Sequence, residues 1–286
     1  MQLLRYILLG LLQGITEFLP ISSSAHLVAA GAFLGVHGPP LFMEVCLHFG
    51  TLAAVLLVFR REIGRLVTDA VKGTAFLMRR TPWEEVLRRA PLFGMAVAIV
   101  IGTVPAAAAG LLFRDAIQAV FEGDVQLCGL LMMVTGLILL ASRYAPQGSA
   151  TTIGPFRGLA VGIAQAVALL PGISRSGSTI VAGYFVGLER PLAAQFSFLL
   201  SAPAVAGAMV LELRHYVLAG SAASAQGVGG AGANTPGLIG GALAAAVAGT
   251  ICLVLLLKIV QKGKLHWFAA YCMPVGALLV AFGARA

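Results

Sequence analysis

Read for runs of apolar residues, the chain shows six near-continuous hydrophobic stretches, at 41–59, 90–113, 125–141, 192–213, 238–257 and 267–282. A helix needs about 20 such residues to cross a bilayer core, so each qualifies or nearly does. Two further apolar regions, near 2–36 and 156–188, are long but broken in the middle. The breaks read Pro20-Ile-Ser-Ser-Ser24 and Pro171-Gly-Ile-Ser-Arg-Ser-Gly177. Pro removes a backbone donor, Ser and Gly loosen the hydrogen-bond ladder, and lipid tolerates no unsatisfied backbone. Neither region can continue as a lipid-facing helix. The opening run 3–12 lacks a basic stretch before it and a small-residue cleavage site after it, so it is expected to be retained.

The two broken regions resemble each other. With a shift of 152 positions, Gly10, Gln13, Ile21, Ser22, Ser24, Ala30, Gly31, Phe33 and Gly35 meet Gly162, Gln165, Ile173, Ser174, Ser176, Ala182, Gly183, Phe185 and Gly187. The chain therefore reads as one membrane domain, 1–286, built from related halves at 1–145 and 155–286. Loop charge supplies an orientation. The segment 60–89 carries eight Lys or Arg and is expected as a basic cytoplasmic loop. Arg143, Arg157, Lys258, Lys262 and Lys264 mark further inside loops. The acidic Asp115–Asp124 stretch and a Gly/Ala-rich loop at 214–237 fall outside. If each broken region dips in and returns to its own face, the halves are oppositely oriented and both termini end outside. The expected fold is an all-α polytopic membrane protein, an inverted-topology repeat of six spanning helices plus two re-entrant helix-loop-helix hairpins. Such symmetry sets the two breaks opposite each other near the midplane.

Composition agrees with a bilayer solvent. The 286 residues are 59% hydrophobic and 10% charged, with a mean hydropathy of +0.95, against about 25% charged in soluble domains. Thirty-five Gly suit close helix packing in a membrane. The net charge of +8 sits in short loops and is not arranged as a phosphate-tracking stripe, so no nucleic-acid partner is expected. The four Cys are scattered singly and read as small hydrophobes.

Ionisable groups at membrane depth are costly and count as functional. The first break carries Gln13, Glu17, Ser22, Ser23, Ser24 and His26; the second carries Gln165, Ser174, Arg175, Ser176, Ser178 and Thr179. Gln13 and Glu17 are four apart and share one helix face. In each break a Ser cluster follows Pro and precedes an apolar helix, the chemistry of a helix N-cap, and free N–H groups at a helix start bind phosphate. Arg175 adds a planar bidentate donor for phosphate oxygens. Together these are the parts of a phosphoryl-transfer site, and Glu17 with Gln13 could hold an oxygen-seeking cation, Mg²⁺ or Ca²⁺. Taken singly, Glu17 or Arg175 is equally explained by pairing with another buried charge, and Ser22 by helix packing. His48, four residues after Glu44, reads first as that residue's structural partner.

Other phosphatase and hydrolase patterns fail. A Ser-Arg-x5-His motif needs His where Val181 stands, no Cys precedes Arg175 at the Cys-x5-Arg spacing, and Gly172–Gly177 is one residue too long for a nucleophile elbow. A lipid flippase or anion transporter remains a competing class, because inverted repeats with broken helices are common transporter architecture.

The run Gln13-Gly-Ile-Thr-Glu-Phe-Leu-Pro-Ile-Ser-Ser-Ser-Ala-His26 resembles the first signature of the undecaprenyl-diphosphatase family linked to bacitracin resistance. Pro171-Gly-Ile-Ser-Arg-Ser-Gly-Ser-Thr179 resembles its second, and similarity continues through Gly187–Leu200 and across the chain in length and span pattern. The resemblance implies hydrolysis of undecaprenyl diphosphate to the monophosphate and phosphate, recycling the lipid carrier for cell-wall synthesis. It also implies a divalent metal and a bacterial inner-membrane location with the site open to the outer face. Glu17, Ser23, His26, Ser174, Arg175, Ser176 and Thr179 match motif positions; Gln13 stands where many members have a second Glu, leaving one carboxylate fewer for metal. Beyond the match, the expected roles are a phosphate clamp at Arg175 with Ser174, Ser176 and Thr179, and metal at Glu17 and Gln13. Glu17 acts alternatively as base, Ser23 as nucleophile, and His26 as leaving-group acid or alternative nucleophile. Oligomeric state is left open, a homodimer included.

Overall fold

The computed structural model describes residues 2–33, 41–113, 116, 125–223 and 235–283. Regular structure there is helical, apart from one isolated bridge between Ala150 and Leu188. The helices are α1 Gln2–Phe18, α2 Ser23–Phe33, α3 Leu41–Val58, α4 Arg60–Met78, α5 Trp83–Arg89, α6 Phe93–Leu112, α7 Val125–Ala141, α8 Pro155–Val167, α9 Arg175–Phe185, α10 Arg190–Ala223, α11 Thr235–Gln261 and α12 Ala269–Gly283. A 3₁₀ turn at Leu265–Phe268 leads into the last.

Among the described residues, four helical stretches are long and apolar enough to cross a membrane: Phe93–Leu112, Arg190–Leu211, Pro236–Gln261 and Leu265–Gly283. Val45–Val58 and Val125–Ala141 are shorter apolar helices. Their outer faces stay apolar, as at Val100, Val104, Leu137, Val247 and Leu278. A soluble protein does not leave so much contiguous apolar surface open. The chain is an all-α, multi-pass membrane bundle.

Both broken regions fold as expected into a helix, a turn and a second helix packed on the first. At 1.5 Å per residue, α9, 11 residues long, reaches only about 17 Å, too short for a core of about 30 Å.

Glycine decides which helices touch. A Cβ on Gly129 of α7 would lie 2.7 Å from the Gly276 carbonyl of α12, and one on Gly276 would lie 2.7 Å from the Gly129 carbonyl. The reciprocity means that the two helices cross backbone to backbone. Gly10 on α1 meets Gly241 of α11 in the same manner, and its counterpart Gly162 on α8 meets Gly102 of α6. Small residues of this kind replace the hydrophobic drive that lipid cannot supply. Gly129→Leu is expected to destabilise the bundle by roughly 3 kcal/mol or more, beyond ordinary overpacking, because backbone cannot yield. A thermal melt in detergent checks this; an unchanged midpoint contradicts the packing.

The segment 60–89, expected as a loop, is instead two helices, α4 and α5. Ile63, Leu66, Val67, Ala70, Val71 and Leu77 recur at helical spacing there, a period that the density of charges obscured. Similarly, α10 continues to Ala223 and α11 starts at Thr235, so only the middle of the Gly/Ala-rich stretch 214–237 lies outside the described residues. So does most of the acidic stretch 115–124.

Beneath the first break, Phe18 of α1 packs edge-on to Phe198 of α10 at 5.8 Å, and Phe59 stacks on the same ring at 6.3 Å. Phe18 and Phe198 are fully buried. This aromatic cluster fixes the end of α1, and with it the residue before Phe18.

Candidate active site

That residue is Glu17, whose side chain is 7% exposed. One carboxylate oxygen, Oε1, accepts from Arg175 Nη2 of α9, 158 positions away. The other, Oε2, accepts from Ser23 Oγ at 2.7 Å and from Gln13 Nε2 at 3.0 Å. Both broken regions therefore contribute to one ion pair. The two readings of Glu17 and Arg175, structural pair and functional cluster, describe the same contact.

The breaks also touch directly. Gly172 N donates to Ser24 Oγ at 3.1 Å. Thr135 of α7 clamps the second turn from the side, donating to the Gly172 carbonyl and accepting from Ser174 N, both at 2.9 Å. Gly172 sits at φ +101°, and a Cβ there would meet the Cys128 carbonyl and Leu131, so only glycine fits. Ser174 is the N-cap of α9, its Oγ accepting from Gly177 N at 3.2 Å and lying 3.3 Å from Ser176 Oγ. Thr179 is fully buried and bonds to the Arg175 carbonyl at 2.7 Å and to Ser197 Oγ. These hydroxyls hold the turn that presents Arg175.

The first turn is held differently. Ser22 takes a left-handed φ of +66°, uncommon for a residue with a Cβ. Its Oγ accepts from Ala25 N at 3.4 Å, so Ser22 caps α2 rather than packing a helix. Its carbonyl accepts from His26 Nδ1 at 2.7 Å. That bond puts the ring proton on Nδ1 and leaves Nε2 as acceptor, and Nε2 lies 2.8 Å from the Tyr271 hydroxyl of α12. The two rings stack with an 8° interplanar angle. His26 thus faces Tyr271, and among the described contacts it makes none to Glu17.

Three participants are not placed at the site by the sequence, which reads His48 first as a partner of Glu44. His48 of α3 lies 4.0 Å from Glu17 Oε2, and its Nε2 is 3.3 Å from Gln13 Nε2. Because a Gln amide nitrogen only donates, His48 Nε2 acts there as acceptor. The Glu44 side chain, its expected partner, lies outside the described residues. The conspicuous signal for His48 was a histidine inside an apolar run. Thr135 and Tyr271 gave none, being ordinary residues in membrane helices.

A small cleft opens on this cluster, lined by Glu17, Arg175, Phe18 and Leu52 and by Thr51 and Val55 of α3 beside Ser201 and Val205 of α10. Of the six buried side-chain polar atoms without a protein partner among the described residues, two belong to this cluster, Arg175 Nη1 and Gln13 Oε1. A guanidinium N–H without an acceptor suits an anion, and an amide oxygen without a donor suits a hard cation. Among the described residues no three His, Cys, Asp or Glu side chains converge on a metal position. The residues present therefore fit only a cation that keeps water and takes further ligands from phosphate, as Mg²⁺ does.

If Tyr271 orients His26 for proton transfer, Tyr271→Phe should lower turnover about tenfold, a part of the 10²–10⁴ typical of acid–base groups. It should add nothing to His26→Ala in a double-mutant cycle. Additive losses would show that the pair does not act as a unit.

Comparison with known proteins gives the family. The family model described as bacitracin resistance protein BacA matches residues 6–278. The chain is similar to the undecaprenyl-diphosphatase of Desulforapulum autotrophicum, 40% identical over 285 residues and covering 99% of each chain. That of Desulfatibacillum aliphaticivorans is 41% identical with 98% of each chain covered. That of Geobacter sulfurreducens is 40% identical, covering 99% of this chain and 98% of its own. A family match over nearly the whole length, with both motifs meeting at one buried ion pair, leaves one conclusion: the chain belongs to the bacitracin resistance protein BacA family.

Proposed function

We propose that the protein hydrolyses undecaprenyl diphosphate to undecaprenyl phosphate and inorganic phosphate at the Glu17–Arg175 cluster. The activity rests on the family and on relatives named undecaprenyl-diphosphatase. The observation that carries the site is the 2.7 Å hydrogen bond from Ser23 Oγ to Glu17 Oε2, with Arg175 on the other oxygen. A hydroxyl bonded to a carboxylate is an activated nucleophile. Arg175 Nη1, a buried donor without a protein partner, is the group left to receive an oxygen of the phosphate it attacks.

In this scheme Ser23 attacks the terminal phosphorus, its proton passes to Glu17, and the bond to the lipid-side bridging oxygen breaks. Lipid monophosphate leaves, and water then cleaves the phosphoserine to release phosphate. Arg175 stabilises charge on the transferring group, while Ser174, Ser176 and Thr179 position the turn that holds it. His26 would protonate the leaving group only as the imidazolium, with a proton on Nε2 in place of the bond it accepts from Tyr271; its Nδ1–H stays on the Ser22 carbonyl. A divalent cation, Mg²⁺ or Ca²⁺, held by Glu17 and Gln13 Oε1 would neutralise diphosphate charge when bound.

The finer architecture belongs to the same proposal: halves 1–145 and 155–286 in inverted topology, six spans and two re-entrant hairpins. The basic α4–α5 segment is then cytoplasmic and the site opens to the outer side of the bacterial inner membrane. Reciprocal packing of Gly129 on Gly276 supports a pseudo-twofold. So does the cleft, whose Thr51 and Ser201, and Val55 and Val205, are 150 positions apart in each case. Phosphate release from undecaprenyl diphosphate by detergent-purified protein, with and without chelator, tests the function. Release abolished by chelator is expected; no release by folded protein under any metal would turn the site into that of a carrier.

A further inference from the structure

A second polar site lies outside this cluster and shares no lining residue with its cleft. Helix α4 follows the apolar α3 after a single residue, Phe59, so its first turn sits where an apolar helix ends. On it Arg61, Arg65, Thr68 and Lys72 recur at i, i+4, i+7 and i+11 and form one stripe. With Arg60 and with Pro91 and Leu92 just before α6 they line an open groove of about 740 Å³, within the 300–1,000 Å³ range of ligand sites.

The groove is cationic on balance, with Arg60, Arg61, Arg65 and Lys72 against one acid. Its one acid, Asp69, spends a carboxylate oxygen on Leu92 N at 3.0 Å. Among the described residues no carboxylate pairs with Arg61, Arg65 or Lys72. Beside the basic stripe, one helical step or about 100° around the axis, runs an apolar one. Val67, Val71 and Met78 are 56%, 66% and 82% exposed. Trp83, at the start of α5, is 39% exposed and suits a headgroup-level anchor. A cationic stripe beside an exposed apolar one is the surface of a helix lying in the membrane interface.

We infer that the α4 groove binds the phosphate headgroup of an anionic phospholipid, with acyl chains along Val67, Val71 and Met78. Net charge selects the lipid, because basic side chains near an anionic headgroup each contribute about fivefold in binding. The apolar stripe makes the ligand a lipid rather than free phosphate. The site is independent of the hydrolytic reading and does not need it to be correct.

The test is native mass spectrometry of the detergent-purified full chain with phosphatidylglycerol, phosphatidylcholine or inorganic phosphate. Variants are Arg61→Gln/Arg65→Gln and Val67→Ser/Val71→Ser, each checked by thermal melt for an intact fold. The expected result is preferential retention of phosphatidylglycerol, about 25-fold weaker in the Arg variant and clearly weaker in the Val variant. Inorganic phosphate should not displace it. Equal retention of both lipids, or an Arg variant that binds like the parent, overturns the site. Full displacement by inorganic phosphate with unchanged binding in the Val variant overturns its assignment to a lipid.

Discussion

Arg175→Ala should lower phosphate release by at least a thousandfold and also destabilise the fold by roughly 3–5 kcal/mol, the cost of stranding one charge of a buried pair. The rate effect has a separate cause. Arg175 Nη1 has no protein partner, so the guanidinium keeps donors for phosphate oxygens, and removing one preorganised donor costs about 10²–10³. Losing a full charge beside a diphosphate costs more. The two effects separate by design. Adding Glu17→Gln to Arg175→Ala removes the stranded charge and should recover much of the stability with none of the activity. Arg175→Lys keeps the charge but not the planar fork, so it should melt near the parent and still turn over far more slowly. Melts in detergent beside phosphate-release rates check all three variants. An Arg175→Ala protein that is folded and active would refute the clamp.

Ser23→Ala should lower turnover by about six orders of magnitude, the loss found when a nucleophile is removed and the rest of the site remains. Its structural cost is smaller, about 1.5–3 kcal/mol for one hydrogen bond to a charged acceptor, so the variant should be folded and testable. Ser22 and Ser24 provide the controls. Ser22 caps α2 and Ser24 holds Gly172 N, so Ser22→Ala and Ser24→Ala should loosen the breaks and slow the reaction while leaving chemistry intact. If Ser23→Ala retains turnover and His26→Ala abolishes it, the nucleophile is His26 and Tyr271 must move off Nε2 first. If both retain turnover, the scheme falls.

The breaks were legible because each violates a rule of membrane helices: Pro, Ser and charge where lipid demands apolar ladder. Duplication added the expectation that they meet, and Glu17 with Arg175, and Ser24 with Gly172, do meet. What escaped was whatever depends on helix rotation. His48 faces Glu17 only because of how α3 turns against α1, and nothing in the spacing of positions 13–26 reports that. Tyr271 is 245 positions from His26, and its hydroxyl resembles any membrane tyrosine until α12 is in place. The left-handed Ser22 was unreadable for another reason, since Gly or Asn would ordinarily mark such a position. Charge density misled once, hiding the helical period of α4 and α5 under eight basic residues.

The central claim, that phosphoryl transfer occurs at Ser23 between Glu17 and Arg175, is tested most directly by trapping. Undecaprenyl diphosphate carrying label in its terminal phosphate is incubated with the protein, quenched in acid, digested and mapped. Acid-stable label on the peptide holding Ser23, absent from Ser23→Ala and Arg175→Ala, is the predicted result. Label that appears on His26 under an alkaline quench, or label on Ser23 that persists in Arg175→Ala, would contradict it.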